Sequence, residues 1–300
     1  MNILLVADYP GWAFDHIAKD LAALDIDGIR FEINYYSNVT AADQAGFDLI
    51  YPMTVSIAQR LYKVGIPMEK MATGITSLVP YEPHLASGRF PGEFMRFIQQ
   101  LRGVNTYSDE IVRLFTPYFP LRRTRVGIDT ALFKPASGIR ADNSFRVGWV
   151  GRIDIPARRE LKGYDMVRSA LRGLKLELDI RTFKEQYVPR ELMIGYYQQL
   201  DCLICSSRSE SIPFPVLEAA ACGVPVISTK VGIVPELIRN KHNGVIIPRT
   251  ANAIRKEVIK LMMEPGECKS MGRNARNTVI DQWSWNICKK EWEGFFKSLQ

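Results

Sequence analysis

Glu210 and Glu218 stand with seven residues between them in segment 206–237, SSRSESIPFPVLEAAACGVPVISTKVGIVPEL, where a loop gives way to a helix start. Ionised carboxylates accept hydrogen bonds strongly, so such a pair suits a hydroxyl-rich ligand, one glutamate taking ribose hydroxyls and the other sugar hydroxyls. Pro215 near the first turn and Glu218 early in the helix are ordinary N-terminal helix chemistry. A helix start beneath the carboxyl end of a strand offers free N–H groups and positive potential, suited to a diphosphate or to sugar hydroxyls.

Other constellations carry less. Cys202 and Cys205 form a C-x-x-C within the apolar run DCLICSS, a strand setting rather than the helix start of a redox pair, so they read as buried thiols. The five cysteines all follow residue 200 and give no disulfide framework. Three histidines (His16, His84, His242) and no second cysteine pair leave no zinc pattern, and no metal is expected. Asp25-Ile-Asp27 is a nominal D-x-D at the end of the first helix and reads as a solvated turn. Gly148 and Gly151 in VGWVGR have the wrong spacing for a dinucleotide fingerprint, and no G-x-x-x-x-G-K-[ST] occurs.

The elements that must position these residues form two series. Residues 2–7 (NILLVA) are an apolar strand run, followed by Tyr9-Pro10-Gly11 and then a helical pattern through Phe14, Ile17, Ala18, Leu21 and Ala22. Further strands are expected at 30–36, 48–51, 71–76 and 104–107. A turn-rich stretch at 134–138 reads as a linker. After it come strand 145–150, helix 164–171, strand 176–180, helix 190–200, strand 202–205, helix 216–222, strand 226–229, a short helix near Pro235 and a helical tail from Ala251. This alternation predicts an α/β fold of two Rossmann-like domains with a ligand cleft between them.

The chain has 300 residues, 47% hydrophobic and 24% charged, the balance of a globular protein of one or two domains. No stretch approaches the roughly 18 apolar residues of a membrane helix. The opening MNILLVADYPGW lacks a signal peptide's basic start, so a cytoplasmic location is expected. Residues 1–140 carry 14 basic and 14 acidic residues; residues 141–300 carry 25 and 18, the whole excess of +7. A basic second half suits a phosphate-bearing ligand.

Together these segments resemble the retaining glycosyltransferases of family 4, which have the GT-B fold. The match lies in the E-x7-E of Glu210 and Glu218, EAAACGVPVIS after it, VGIVPEL (231–237), NGVIIP (243–248), the linker-like VGIDTALFKP (126–135) and the tail QWSWNICKKEWEGFF. Upstream, VGWVGR followed nine residues later by KGYD resembles the family's strand-end Arg and Lys-Gly. The resemblance runs from about Val126 onward, while the first half matches only in pattern. It implies an N-terminal acceptor-side domain over 1–135, a nucleotide-sugar-binding domain over 136–282, and a C-terminal helix over 283–300 crossing back to the N-terminal domain.

The resemblance implies roles for individual residues. Arg152 and Lys162 grip the donor diphosphate, Glu218 binds the ribose, and Glu210 lies by the donor sugar and the reacting centre. A leaving diphosphate gains negative charge as the glycosidic bond breaks, and fixed cations lower that barrier. Arg152 supplies a planar fork and Lys162 a mobile point charge. Gly11 occupies the turn after the first strand, where the family places a glycine loop near donor and acceptor. His84 resembles the acceptor-side histidine loosely, with His16 as the other candidate and Trp12 able to stack on a sugar.

The chain departs from the family between the glutamates, where a Gly-rich loop is replaced by Ser211-Ile212-Pro213-Phe214-Pro215. Pro213 and Pro215 have no N–H, so backbone donors to the sugar must come from Ser211, Ile212 or Phe214. The base-framing segment 181–189 is also short. Phe94, Phe97, Ile98 and Leu101 form a helical stripe that suits either a core or a membrane surface. Arg122, Arg123, Arg125, Arg158 and Arg159 are basic clusters, solvated or polyanion-facing.

The expected activity is retaining, metal-independent transfer from a nucleotide sugar, UDP-sugar favoured, to a hydroxyl acceptor in surface-glycan assembly. The nucleotide sugar is a co-substrate and no further cofactor is expected. Expected acceptors are a glycan, a lipid-linked sugar or a modified DNA base, with peripheral membrane contact at the inner face an open option. The rival of another class is a non-catalytic nucleotide-sugar-binding module.

Overall fold

The structure is a computed structural model that describes every residue except 139, 141, 143, 183, 186 and 187. The chain divides into two compact units: residues Met1–Val126 with Cys288–Gln300, and residues Gly127–Ile287. The divisions between these compact units fall at 126/127 and 287/288.

Unit 1 runs β1 (Asn2–Ala7), α1 (Ala13–Ala22), β2 (Arg30–Tyr35), β3 (Leu49–Pro52), α2 (Val55–Lys63), β4 (Ala72–Ile75), α3 (Glu82–Ser87), α4 (Gly92–Gln100), β5 (Gly103–Thr106), α5 (Asp109–Phe115) and β6 (Arg122–Arg123). Its strands are all parallel, in the orders β2-β1-β3 and β4-β5-β6, with an Ile50–Met71 bridge joining the two sheets. From Ile3 onward β1 is apolar and buried, and β3 is buried throughout, as in a parallel sheet covered on both faces. β2 lies at the edge, and its glutamate and arginine face out.

The stripe on α4 is part of the core of unit 1: Phe97, Ile98 and Leu101 are buried, and Phe94 packs against the same cluster. It is therefore not a free membrane-facing surface. The basic run before residue 126 is also engaged internally. Arg123 bonds to Asp109 and Glu291, and Arg125 to Glu291, while the Arg122 guanidinium donates to the Gly294 carbonyl. Asp25 and Asp27 follow α1 in a turn, where the Asp25 carbonyl accepts from Lys289.

Unit 2 runs β7 (Arg146–Gly151), α6 (Pro156–Lys162), α7 (Tyr164–Leu171), β8 (Glu177–Thr182), α8 (Arg190–Tyr197), β9 (Cys202–Cys205), α9 (Phe214–Ala221), β10 (Val226–Thr229), α10 (Val234–Leu237), β11 (Val245–Ile247), α11 (Ala251–Met263) and α12 (Pro265–Gln282). Its five parallel strands lie in the order β8-β7-β9-β10-β11. Residues 128–133 are stitched to this unit: Ile128 pairs with the backbone of Trp283 and Trp285, and Arg276 donates to the carbonyls of Thr130, Phe133 and Ala221. The last helix, α13 (Trp285–Lys297), starts in unit 2 and continues in unit 1, where Trp292, Phe295 and Phe296 ring the buried Tyr51 at 5.5–6.3 Å between centroids.

Candidate functional site

In unit 2 the second strand lies on one side of the first and the third on the other. This reversal opens a crevice at the carboxyl ends of β7 and β9, where open α/β sheets take their ligands. Arg152 follows β7 directly, and Ser206, Ser207 and Glu210 follow β9. The expected site residues of this unit therefore gather around one switch point. None of that placement needed the first half of the chain.

Lys162 ends α6 and reaches Glu210 Oε1 at 2.5 Å, while Ser207 Oγ donates to the same oxygen at 2.6 Å. The Lys162-Gly163 turn is held from below, because Ser206 Oγ donates to the Lys162 carbonyl at 2.7 Å. Gly163 has φ +72°, and a Cβ there would sit 2.6 Å from the Ser206 carbonyl oxygen. Only glycine lets the turn close so tightly. Arg249, just after β11, donates to the Ser206 carbonyl at 3.0 Å and also to the Glu160 carbonyl, clamping α6 to the end of β9.

Glu210 is fixed from the other side by the loop after β10. Ile233 N–H donates to the Ser211 carbonyl at 3.0 Å. Gly232 (φ +48°) lies so close that a Cβ there would overlap that carbonyl oxygen. This is the physical content of the VGIVPEL segment: it presses on the Glu210-Ser211 backbone. With its carboxylate 14% exposed and two donors on one oxygen, Glu210 keeps acceptor capacity for a ligand hydroxyl.

Glu218, on α9, is buried at 4% exposure. Arg190 Nε donates to its Oε1 at 3.0 Å and Tyr197 O–H to its Oε2 at 2.7 Å. Burial pushes the Tyr197 hydroxyl well above its ordinary pKa, helped by the neighbouring Glu218 charge, so it stays a donor. Arg190 also lies over the rings of Phe133 and Phe214, at 5.4 and 5.9 Å. The carboxylate is thus locked in direction, one donor on each oxygen.

Arg152 forms a bidentate pair with Asp154, at 3.0 and 2.9 Å, and Lys184 stands 3.6 Å from the same carboxylate. The Arg152 hydrogen bonds hold the Asp154 carboxyl below its ordinary value. In the 211–215 loop, the Phe214 N–H turns back to the Ile212 carbonyl at 2.9 Å. Of the three expected backbone donors, Phe214 is therefore spent within the loop. Ser211 Oγ is buried with no hydrogen-bond partner among the described residues. Of the base-framing segment, residues 183, 186 and 187 lie outside the described residues.

In unit 1, the Gly11 N–H donates to Asp15 Oδ2 at 2.7 Å, so it shapes its own turn rather than offering a donor. His84 sits on α3, half-buried, with its ring 5.5 Å from Phe90. His16 is on α1 and also half-buried. The basic pair in α6 divides: Arg159 is engaged with Asp165 and the Tyr164 ring, and Arg158 is exposed.

The residues missed by sequence reasoning are Ser207, Arg190, Tyr197 and Asp154. Arg190 and Tyr197 did carry a signal. They lie seven residues apart in one helix, two turns along the same face, a cation and a phenol aimed together. Cys202 and Cys205 lie in β9 with free thiols, as the apolar run indicated. Among the described residues no three His, Cys, Asp or Glu side chains cluster to hold a metal ion. No helix among them is long and apolar enough to cross a membrane.

Residues 163–278 match the family described as glycosyl transferases group 1. The chain is 25% identical over 187 residues, 53% of its own length and 44% of the relative's, to the MMP alpha-(1->4)-mannosyltransferase of Mycolicibacterium hassiacum. It spans about half the length of such curated relatives. Among solved structures, sucrose-phosphate synthase from Thermosynechococcus elongatus superposes with a TM-score of 0.80 at 15% identity, covering 100% of this chain and 99% of that one. HepE from Anabaena, in complex with UDP and glucose, gives 0.75 at 14% identity, covering 99% and 100%. These likenesses show the GT-B fold of two Rossmann-like domains.

Proposed function

We propose that this protein transfers a sugar, with retention, from a nucleoside-diphosphate sugar, UDP-sugar favoured, to a hydroxyl acceptor in glycan assembly. The observation that carries the reading is the Lys162–Glu210–Ser207 cluster at the switch point of unit 2, beside the locked Glu218 carboxylate. Glu218 takes the ribose hydroxyls. Arg152 and Lys162 meet the diphosphate, exchanging part of their present pairing with Asp154 and Glu210 for phosphate oxygens. Glu210 then accepts from hydroxyls of the donor sugar, and the Ser211 hydroxyl next to it in sequence supplies a donor.

In the transfer the bond from the sugar's anomeric carbon to the diphosphate oxygen breaks, and the bond to the acceptor oxygen forms on the same face. The acceptor's proton passes to the leaving phosphate oxygen, and the two cations stabilise the charge that develops there. Acceptor binding is assigned to unit 1, with His84 or His16 as the candidate histidine. The engaged arginines at 122, 123 and 125 give a DNA acceptor no support.

The test is thermal unfolding with UDP, GDP, ADP and CMP, followed by hydrolysis of the matching nucleotide sugar. A nucleotide at 100 times its dissociation constant adds about 2.7 kcal/mol of stability. One diphosphate is expected to raise the midpoint, and Glu210→Gln is expected to bind it yet lose turnover. No shift with any nucleotide overturns the donor site. A shift with turnover absent from the wild type favours the non-catalytic binding module.

A further inference from the structure

Unit 2 ends its sheet on a long edge. β8 lies outermost in the order β8-β7-β9-β10-β11, and among the described residues only its β7 side has a strand beside it. The other end of the sheet closes with the three residues of β11, whereas β8 runs for six, Glu177–Thr182, with no proline. Chains that must stay single blunt such edges with proline, a bulge or a very short strand, because unpaired N–H and C=O groups are a template for another strand.

Backbone groups alternate sides along a strand. Glu177 N–H donates to the Phe145 carbonyl at 2.8 Å, on the β7 side, so Asp179 and Arg181 face β7 as well, while Leu178 and Ile180 turn their N–H and C=O outward. The side chains of Leu178 and Ile180 share one face of the strand, half-buried against the core that includes α7. Leu178 there lines a groove of about 470 Å³ with Leu174, Leu176 and Arg168. On the opposite face Arg181 pairs with Asp179, their side chains 29% and 25% exposed. Arg181 Nη1 also donates to the Ile180 carbonyl at 3.0 Å, and its Nε is buried with no hydrogen-bond partner among the described residues.

These facts restrict how two copies of β8 can meet. A two-fold axis across an antiparallel pair passes between identical residues. An axis at Glu177, Asp179 or Arg181 sets that charge against itself. An axis at Leu178 sets Glu177 against Asp179 of the second copy, again a like-charge contact that opposes pairing. An axis at Thr182 leaves most of the strand unpaired. An axis at Ile180 sets Asp179 against Arg181 of the second copy, twice over, at the non-hydrogen-bonded positions where side chains lie closest.

We propose that β8 is a dimerisation edge, on which a second copy of this chain lays its own β8 antiparallel about an axis at Ile180, joining the two five-stranded sheets. Ile180 N–H and C=O exchange hydrogen bonds with their counterparts. Arg181 gives up its own Ile180 carbonyl and turns to Asp179 of the second copy, which offers its orphaned Nε an acceptor. The run Asp-Ile-Arg is its own complement in this register, which singles out a second copy over an unrelated strand. β2, the six-residue edge of unit 1, also has a basic and an acidic residue two apart, Arg30 and Glu32, but both are exposed, where an ion pair is worth little. The pairing requires nothing of the sugar-transfer reading.

One strand pair with an apolar margin is a small interface, so a dissociation constant of about 20 μM is expected. Sedimentation velocity on the full chain, from about 1 to about 200 μM, reads it. Ile180→Pro removes the outward N–H at the axis, a change that an edge strand tolerates on its solvent side, and is expected to leave a monomer. Asp179→Arg and Arg181→Asp are each expected to weaken dimerisation about tenfold or more. An equimolar mixture of those two variants is expected to dimerise again, because each charge then meets its opposite across the axis; loss of an ion pair within one chain cannot be rescued in that way. Arg30→Glu, on the β2 edge, is the control and leaves the dimer intact. Urea midpoints confirm that each variant is folded. A wild type that stays monomeric throughout, a dimer that survives Ile180→Pro, a mixture that fails to restore it, or a dimer lost in Arg30→Glu overturns the proposal.

Discussion

Replacing Arg190 with methionine removes the charge that faces Glu218 while keeping most of the side chain's length. At the 3.0 Å separation seen here, the pair's Coulomb energy is about 5 kcal/mol at an effective dielectric constant of about 20. Desolvation of the two ions offsets much of that, yet deleting one partner of a buried pair still costs about 3–5 kcal/mol. Arg190 keeps 17% exposure and Tyr197 continues to donate, so the lower end, about 3 kcal/mol, is expected. About 0.5–1 kcal/mol of this is the lost contact with the Phe133 and Phe214 rings.

A double-mutant cycle with Glu218→Gln separates these contributions. The coupling between the two substitutions is expected to be about 2 kcal/mol, read from urea unfolding midpoints at neutral pH. Protection by the bound nucleotide is expected to fall in step, because an unlocked carboxylate no longer presents two aimed oxygens to the ribose. A coupling below about 0.5 kcal/mol refutes the reasoning, since Arg190 then acts through packing alone. So does a loss of stability in the Arg190→Met variant that leaves nucleotide protection unchanged.

Gly163→Ala forces a Cβ to within 2.6 Å of the Ser206 carbonyl at positive φ, so urea unfolding is expected to show a loss of about 2 kcal/mol or more together with weaker nucleotide protection. Asp15→Ala strips three donors of their acceptor, and a loss of about 2 kcal/mol is expected with faster amide exchange in residues 9–12. The Arg152 hydrogen bonds lower the Asp154 pKa, so their contribution is complete above the ordinary carboxylate value of 3.8 and is lost as pH falls through the lower folded value. The stability gap between wild type and Arg152→Ala is therefore expected to be constant near neutrality and to narrow as pH falls below 3.8; a gap that widens on acidification contradicts the pairing. Burial pushes the Cys222, Cys268 and Cys288 thiols up to about 12 and raises Cys202 and Cys205 as well, so a thiol reagent at neutral pH is expected to find no fast-reacting cysteine until the chain is unfolded.

Strands were the most legible part of the sequence, and for one reason. Parallel strands covered on both faces are largely apolar, so 3–7 and 202–205 announce themselves as unbroken runs. The site residues on strand ends were legible for a related reason, since Arg152 and Glu210 follow such runs at short distance. Their partners were not. That Arg190 faces Glu218 depends on how α8 packs beside α9, and that Asp154 faces Arg152 depends on the turn taken after β7. Proline content showed two missing N–H groups between the glutamates, but not that the Phe214 N–H folds back onto Ile212. Arginine runs are ambiguous in the same way: three basic residues at 122–125 look solvated until Glu291, far along the chain, is found to serve two of them.

The split membership of α13 has a consequence for biosynthesis. A ribosome delivers the chain from its amino end, yet the core of unit 1 around Tyr51 is closed by Trp292, Phe295 and Phe296. Unit 2 is continuous from Gly127 to Ile287 and can be completed as soon as it has emerged. The first half to be synthesised is thus the last to finish folding, and it waits through the making of more than 160 further residues with its aromatic seat exposed. A nascent chain of this design has reason to be held by a chaperone during that interval, and the loss of α13 harms the half of the protein that was made first.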